Sequence, residues 1–375
     1  MAWTAIIGQE RVKELLRKAI ARRSVAHAYL FHGQEGIGKD AIALEFAKAL
    51  QCERGTDEAC DACSSCAKAA KLRHPDIRII VPLPTGKAEE SGDDPIRTLD
   101  EDTVDIIREQ LDAKAADPYN EITIPKAQFI KINSVRDLKR ESSMSPVEGR
   151  YKVFVILRAD AMNQESANSL LKTLEEPLEN AVLLLTTAYR ERLLATLQSR
   201  CQQLECSPLQ ESEICAALVE RDGAETHVAT DAARLADGSY RQARRLIGGD
   251  LAEERKEIVR FLRLVVAGKV LPLAAEIERL VSSYDRRQWE EWLSLLQTWL
   301  RDAMLLQTDP AHARLAADET LLSFSQRYPT ARLQEAVATV DGAIADLRRN
   351  VYIPLILTTL SQQLRHLVVS SLRST

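Results

Sequence analysis

At 375 residues the chain is about two to three times the usual domain size, with ample material for several cores, which excludes a small peptide-like binder. Its 50 Lys and Arg against 55 Asp and Glu give a net charge of −5, so the chain as a whole is no basic nucleic-acid coat. Hydrophobic residues at 45% and charged residues at 28% suit a globular protein, and aromatics at 5% are too few for a β-sandwich or a base-stacking platform.

Met1 to Glu10 lack the basic start and long apolar core of a secretory signal. The longest apolar runs, such as Val153–Leu157 and Val182–Leu185, are too short to span a bilayer, so a cytoplasmic protein is expected. Residues Gln9–Ala21 carry Val12, Leu15, Leu16, Ala19 and Ile20 at helical spacing. Ala28–His32 reads as a short buried strand. It is followed by Gly33-Gln-Glu-Gly36-Ile-Gly38-Lys39-Asp40 and a helix over Ala41–Leu50. A cysteine-bearing segment leads to a second strand, Ile77–Val81.

From Thr85 to Glu121 the composition changes, with twelve Asp and Glu against four Lys and Arg. Thr103–Lys114 fits one amphipathic helix, but the whole stretch is expected to be an inserted surface segment. Removing it leaves 46 basic against 43 acidic residues, so the acidity belongs to the insertion and the remaining body is mildly cationic. That permits a weak backbone contact to DNA and does not suggest tight independent binding.

Ile130–Ile132 resumes the core pattern, with a helix Ser134–Glu141 for which Ser134 is a suitable N-cap. Val153–Leu157 reads as a strand buried on both faces, Asn163–Glu176 as a helix stopped by Pro177, and Val182–Thr187 as the next strand. Strands alternating with helices over the first 200 or so residues predict an α/β fold with a doubly wound parallel sheet. Beyond Pro208 the strand pattern stops. Glu211–Arg221, Thr226–Leu235 and Tyr240–Gly248 predict a small three-helix unit, and residues 251–375 a longer helical region. Within that region Trp289, Trp292, Leu293, Leu296, Trp299 and Leu300 share one helix face, which favours packing, within the chain or between subunits, over a cofactor box.

Gly33, Gly38 and Lys39 match the phosphate-loop pattern GxxxxGK[ST] up to its last position and lie between a strand and a helix, with Gly36 inside the loop. Backbone N–H groups of such a loop cradle phosphate oxygens, and Lys39 would reach the terminal phosphates. Asp40 stands where a Ser or Thr hydroxyl should meet Mg²⁺, and a carboxylate there repels a polyphosphate unless a metal intervenes. Hydrolysis also needs a metal-holding carboxylate at the end of a buried strand, followed by an acid that positions water. After Val153–Ile156 the chain offers Leu157 and Arg158, which can do neither; Asp160 lies further on and is expected to cap the next helix. The residues favour a nucleotide-type scaffold without hydrolysis and leave nucleotide binding open.

Cys52, Cys60, Cys63 and Cys66 give C-x7-C-x2-C-x2-C, a set suited to tetrahedral zinc with a closed shell and hence a structural role. An iron–sulfur site or unligated thiols are the alternatives. Cys201, Cys206 and Cys215 are isolated, and His74 is expected in the core or a turn.

Several stretches carry a resemblance: Ile7-Gly-Gln-Glu10, Ala26-His-Ala-Tyr-Leu-Phe31, His74-Pro-Asp76, Glu148-Gly-Arg-Tyr-Lys-Val153, Ala167-Asn-Ser-Leu-Leu-Lys-Thr-Leu-Glu-Glu-Pro177 and Ser199-Arg-Cys-Gln202. Together they resemble the bacterial clamp-loader subunits of DNA polymerase III, strongly over residues 1 to about 250, with a weaker echo in Asn350–Pro354. Asp40, Leu157 and Arg158 fit the delta-prime branch rather than the ATP-hydrolysing gamma/tau branch. The resemblance implies an AAA+ α/β domain (residues 1–207, with insertions at 52–66 and 85–121), a helical lid (208–250) and a helical collar (251–375) that joins five subunits.

The partners implied are gamma/tau and delta subunits, with the sliding clamp and primer-template DNA reached through the complex. It also implies that Arg200 acts in trans as an arginine finger, that Arg241 and Thr187 (or Thr186) sit at sensor positions, and that the 52–66 cysteines hold structural zinc. Asn168 and Lys172 would face a central DNA chamber. The expected function is a non-catalytic stator of clamp loading. An ATP-hydrolysing gamma/tau-like subunit and a zinc-bearing adaptor outside ATP chemistry are the alternatives.

Overall fold

The computed structural model describes residues 3–84, 94–176, 180–248, 251–284, 286–308, 319–329, 331–349 and 351–369. The chain forms two compact units, Met1–Arg245 and Leu246–Thr375.

In the first unit α1 (Glu10–Ala21) precedes β1 (Ala28–His32), the phosphate-type loop and α2 (Lys39–Leu50). Then come α3 (Ser64–Ala70), β2 (Ile77–Ile80), α4 (Glu101–Ala116), α5 (Ile132–Ser142), β3 (Lys152–Ile156), α6 (Gln164–Glu175), β4 (Ala181–Thr187), α7 (Ala195–Gln198) and β5 (Gln202–Glu205). Helices α8 (Glu211–Asp222), α9 (Thr226–Leu235) and α10 (Tyr240–Gly248) follow. The sheet is parallel throughout in the order β2-β3-β4-β1-β5.

Every residue of β1, β3 and β4 is buried, because helices cover both faces of a parallel sheet and leave no solvated side for polar alternation. Leu30, Phe154, Ile156, Leu183 and Leu185 meet Val135 and Leu138 of α5 and Leu170 and Leu174 of α6 in one apolar cluster. Truncating such a residue, Leu170 to Ala for instance, would cost about 2–5 kcal/mol. Helix α2 packs against β1, β3 and β4, which fixes the loop at its N-terminus relative to the sheet's C-terminal edge. Strand order reverses around β1, and in open α/β sheets the crevice at such a point is where ligands bind.

Three sequence expectations are corrected. Asp160 does not cap the next helix. It sits in a 3-10 turn (Ala159–Ala161), and the cap of α6 is Asn163, whose Oδ1 accepts from Ser166 N at 2.8 Å. Ser134 is not the cap of α5: the helix starts two residues earlier, Lys131 is at the N-cap, and Ser134 is buried inside the first turn. The acidic stretch is not merely a surface insertion. Its helix α4 and the turn after it bury Ile107, Lys114 and Tyr119 against the body. Residues 85–93 and Pro177 lie outside the described residues.

In the second unit, α11 (Leu251–Ala267), α12 (Val270–Ser283), α13 (Arg286–Thr308), α14 (Glu319–Arg327), α15 (Leu333–Arg348) and α16 (Ile353–Val369) pack together. The indole stripe of α13 is core within this unit. Trp292 meets Phe261 edge-on at 5.3 Å between ring centroids, and Trp299 meets Phe324 at 4.9 Å. Asn350 lies outside the described residues. Among those described, no helix is long and apolar enough to cross a membrane.

Candidate functional site

The loop between β1 and α2 is held open by two glycines. Gly36 has φ +76°, and a Cβ there would come within 2.1 Å of Ser239 Oγ at the start of α10. Gly38 has φ +101°, and a Cβ there would lie 2.9 Å from the hydroxyl oxygen of Tyr119. Any side chain at these positions would therefore be both strained and obstructed. Gly38 is also the N-cap of α2 and offers no side chain to its first-turn N–H groups, the arrangement that lets a helix N-terminus take an anion.

The side chains around this loop are held by partners within the chain. Lys39 is buried and its ammonium donates to the Gln34 carbonyl within its own loop; burial holds its pKa below the ordinary lysine value. Asp40 occupies the first turn of α2, where a carboxylate is favoured by the helix dipole. Its Oδ2 accepts from Lys114 Nζ at 2.9 Å and its Oδ1 from Thr186 Oγ1 at 2.8 Å. Burial alone would raise the pKa of Asp40. The charge and hydrogen bond of Lys114, with Lys39 and Thr186 behind them, outweigh it and hold the carboxyl at about 2. The carboxylate that seemed set to repel a polyphosphate is thus the neutralised partner of a lysine from α4.

At the end of β3, Leu157 is buried and Arg158 follows at φ 56°, both facing the cleft. Asp160 also lines the cleft, but its Oδ1 accepts from Thr187 Oγ1 at 2.6 Å. Both candidate sensor threonines are therefore hydrogen-bonded to acids of the same chain.

Helix α10 supplies Arg241 to the cleft, and Arg244 and Arg245 follow it on the helix outside the cleft's lining. Arg241 pairs with Glu35 of the loop at 3.1 Å and with Glu121 at 3.4 Å. Arg244 pairs with Asp117 and donates to Asn120 Oδ1 at 2.9 Å, and Arg245 pairs with Glu121 at 3.1 Å. Tyr119 lies between them, its ring edge-on to Tyr240 at 4.9 Å and its hydroxyl accepting from Ile7 N at 2.8 Å. Burial pushes its phenol up to about 12, so the hydroxyl stays protonated.

Arg200 does not line this cleft. It stands in the turn before β5, about one third exposed, with Nη1 donating to the Thr196 carbonyl at 2.9 Å and Nη2 to Glu175 Oε1 of α6 at 2.7 Å. Asn168 and Lys172 are exposed one turn apart on the same helix.

The sulfur atoms of Cys52, Cys60, Cys63 and Cys66 lie within 4.8 Å of one another, a spacing that four thiolates about one tetrahedral ion can adopt. Cys63 caps α3, and the Cys66 N–H donates to its sulfur at 3.4 Å, a knuckle that aims both sulfurs at one point. Backbone N–H groups of Ala62 and Cys63 lower the Cys60 thiol to about 6, whereas burial pushes Cys66 up. His74 is no ligand of this set: its Nε2 is paired with Ser65 Oγ at 2.8 Å and its Nδ1 accepts from Asp76 N at 3.1 Å. Asp76 in turn accepts from the backbone N–H groups of Val147, Glu148 and Gly149, so the His-Pro-Asp stretch anchors a loop.

Lys114, Asp117, Tyr119, Glu121 and Glu175 escape sequence reasoning. The first four sit in a stretch whose net acidity marks it as surface, and nothing local pairs residue 114 with residue 40. Only the Asp-Pro-Tyr-Asn turn at 117–120 hints that the chain reverses there.

Comparison with known proteins adds to this geometry. The family described as DNA polymerase III, delta subunit, matches residues 8–210. The chain is 30% identical to the delta' subunit of DNA polymerase III from Bacillus subtilis over 68% of its own length and 65% of that protein's. It is 32% identical to the delta' subunit of Pseudomonas aeruginosa over 68% of its length and 66% of that protein's. It is also 31% identical to the tau subunit of Escherichia coli over 64% of its length, a match spanning 31% of that larger protein. The matches thus span less than two thirds of each of these relatives.

Proposed function

The chain belongs to the DNA polymerase III delta subunit family, and from that premise we propose that it is a delta-prime-type subunit of the clamp loader that hydrolyses no ATP and serves its neighbours. The observation that carries this reading is at the end of β3. Leu157 and Arg158 stand where a hydrolase needs acids for metal and water, and Asp40, where the metal-binding hydroxyl belongs, is committed to Lys114.

Arg200 would act on the nucleotide of an adjoining gamma/tau subunit. A guanidinium is always charged and forks onto phosphate oxygens, so it stabilises charge developing at a γ-phosphate. Its position outside its own cleft supports action in trans, and the bond to Glu175 supports a fixed presentation. Residues 1–207, 208–250 and 251–375 would serve as AAA+ body, lid and collar of a five-subunit ring. The ring would include gamma/tau and delta, with the sliding clamp and primed DNA as the loads. Lys172 and Asn168 would give α6 a weak contact to DNA phosphates. The likeness to tau favours one other reading, an ATP-hydrolysing ring subunit, which the cleft would serve poorly.

The test is a single substitution. Asp40→Thr restores the hydroxyl of the phosphate-loop pattern, and the variant chain is expected to stay at background turnover because Leu157 and Arg158 leave Mg²⁺ and water unplaced. Measurable steady-state hydrolysis by that variant would overturn the reading of the site.

Cys52, Cys60, Cys63 and Cys66 would hold one zinc ion in a closed shell that supplies folding energy to the 52–66 segment rather than chemistry. Elemental analysis of the purified chain is expected to give one zinc per molecule, falling toward zero in Cys60→Ser/Cys63→Ser. Well under one zinc in the unaltered chain would contradict it.

A further inference from the structure

The segment from Lys114 to Glu121 supplies the partner of Asp40, and its remaining contacts reach further across the cleft. The cleft has the parts of a nucleotide site, a glycine loop at a helix N-terminus and Arg241 of α10 in its lining, while Arg244, Arg245 and the backbone N–H of Ile7 lie outside that lining. Each part is met by this one segment. The Lys114 side chain is 2% exposed, and its Nζ donates to Asp40 Oδ2 at 2.9 Å and to the Asn120 carbonyl at 2.7 Å, so the helix end and the turn are locked to each other and to α2. The Tyr119 ring lies against Gly38 and Tyr240, with its hydroxyl on Ile7 N. Asp117 and Glu121 present carboxylates to Arg244, Arg241 and Arg245. The segment therefore has the chemical layout of a nucleotide, one flat aromatic ring flanked by anions, with the anions on arginines and the ring on a backbone donor.

We propose that residues 114–121 are a built-in ligand of the phosphate-loop cleft, which takes the place of nucleotide and clasps helices α8–α10 to the α/β body without any cofactor. A nucleotide in this cleft would touch both the loop and Arg241 of α10, which line it together. Here the bridge is a segment of the chain itself, held by hydrogen bonds and ion pairs. It is tethered at one end by α4 and at the other by the connection to α5, so its effective concentration at the cleft far exceeds that of a free metabolite, which competes only if the segment withdraws. Withdrawal would expose Tyr119 and leave the Asp40 carboxylate without Lys114, both unfavourable. The lid of this subunit is then rigid at all nucleotide levels. The inference concerns the chain alone and does not depend on Arg200 or on any partner.

The test is hydrogen exchange on the full chain, read by mass, with and without millimolar MgADP. In the unaltered chain, amides of 114–121 are expected to exchange as slowly as those of α2, and MgADP is expected to leave the exchange of residues 33–39 and α10 unchanged. In Asp117→Ala/Tyr119→Ala/Glu121→Ala, exchange in α10 is expected to rise by about tenfold or more while β3 and β4 stay protected, as for local opening of one unit. Protection of the loop by MgADP in the unaltered chain, or unchanged α10 exchange in the triple variant, would overturn the proposal. Should the triple variant fail to fold, Tyr119→Phe/Glu121→Gln keeps the shape and removes one hydrogen bond and one charge. Faster α10 exchange is again the expected result, and unchanged exchange the contrary one.

Discussion

Replacing Arg200 by Ala in a clamp loader reassembled with gamma/tau and delta partners is expected to slow ATP turnover at the adjoining site by roughly 10³-fold or more, the range typical of a trans arginine. The total DNA-stimulated rate should fall by the share that this one site carries. The size follows from what is lost. The guanidinium is held in the turn before β5 by Thr196 and Glu175, so in the proposed role it would meet a neighbour's phosphate already oriented, and truncation would remove both its charge and its fork. Arg200→Lys should recover little, because an ammonium cannot donate two parallel hydrogen bonds. Assembly, read by intact-complex mass, should be unchanged, since Arg200 is about one third exposed and its recorded bonds are polar ones to Thr196 and Glu175. Unaltered turnover in a fully assembled Arg200→Ala complex would sink the assignment.

The second large effect is on stability. Lys114→Met keeps much of the side-chain volume but leaves Asp40 charged, part-buried and stripped of its main partner; breaking such a pair costs about 3–5 kcal/mol. Lys39, which also faces Asp40, should place the loss toward the lower end. Urea denaturation at neutral pH measures it. Asp40→Asn/Lys114→Met should recover most of the loss because both charges leave together.

The pH dependence has a definite sign. The folded pKa of Asp40, about 2, lies below the ordinary value of 3.8, so its contribution of about 2 kcal/mol is fully present above pH 3.8 and fades as the pH falls through 2. In Lys114→Met the Asp40 pKa should rise, moving that loss to higher pH. A change under about 1 kcal/mol in the single variant would show the pair to be marginal, as exposed pairs are.

The sheet was legible because its signal is local. Val153–Ile156 and Val182–Leu185 are uninterrupted apolar runs of strand length, and a strand buried on both faces needs nothing more to declare itself. The loop was legible for a similar reason, since glycines at 33, 36 and 38 before a lysine are dictated by backbone geometry. Helix caps were less so: Asp160, Asn163 and Ser134 are all competent cap residues, and tertiary packing decides which is used. The Lys114–Asp40 pair was illegible because its partners are 74 positions apart, and because the average charge of residues 85–121 hides one buried lysine and one buried tyrosine. The indole stripe of α13 was legible as packing, while its partners Phe261 and Phe324 are set by how helices return on one another.

In the proposed role this chain lends Arg200 to a neighbour's site and hydrolyses no ATP itself. Steady-state ATP turnover, measured side by side for the purified chain and for the complex it forms with gamma/tau and delta, tests it most directly. The account predicts background turnover from the chain alone and DNA-stimulated hydrolysis from the complex; robust hydrolysis by the isolated chain would contradict it.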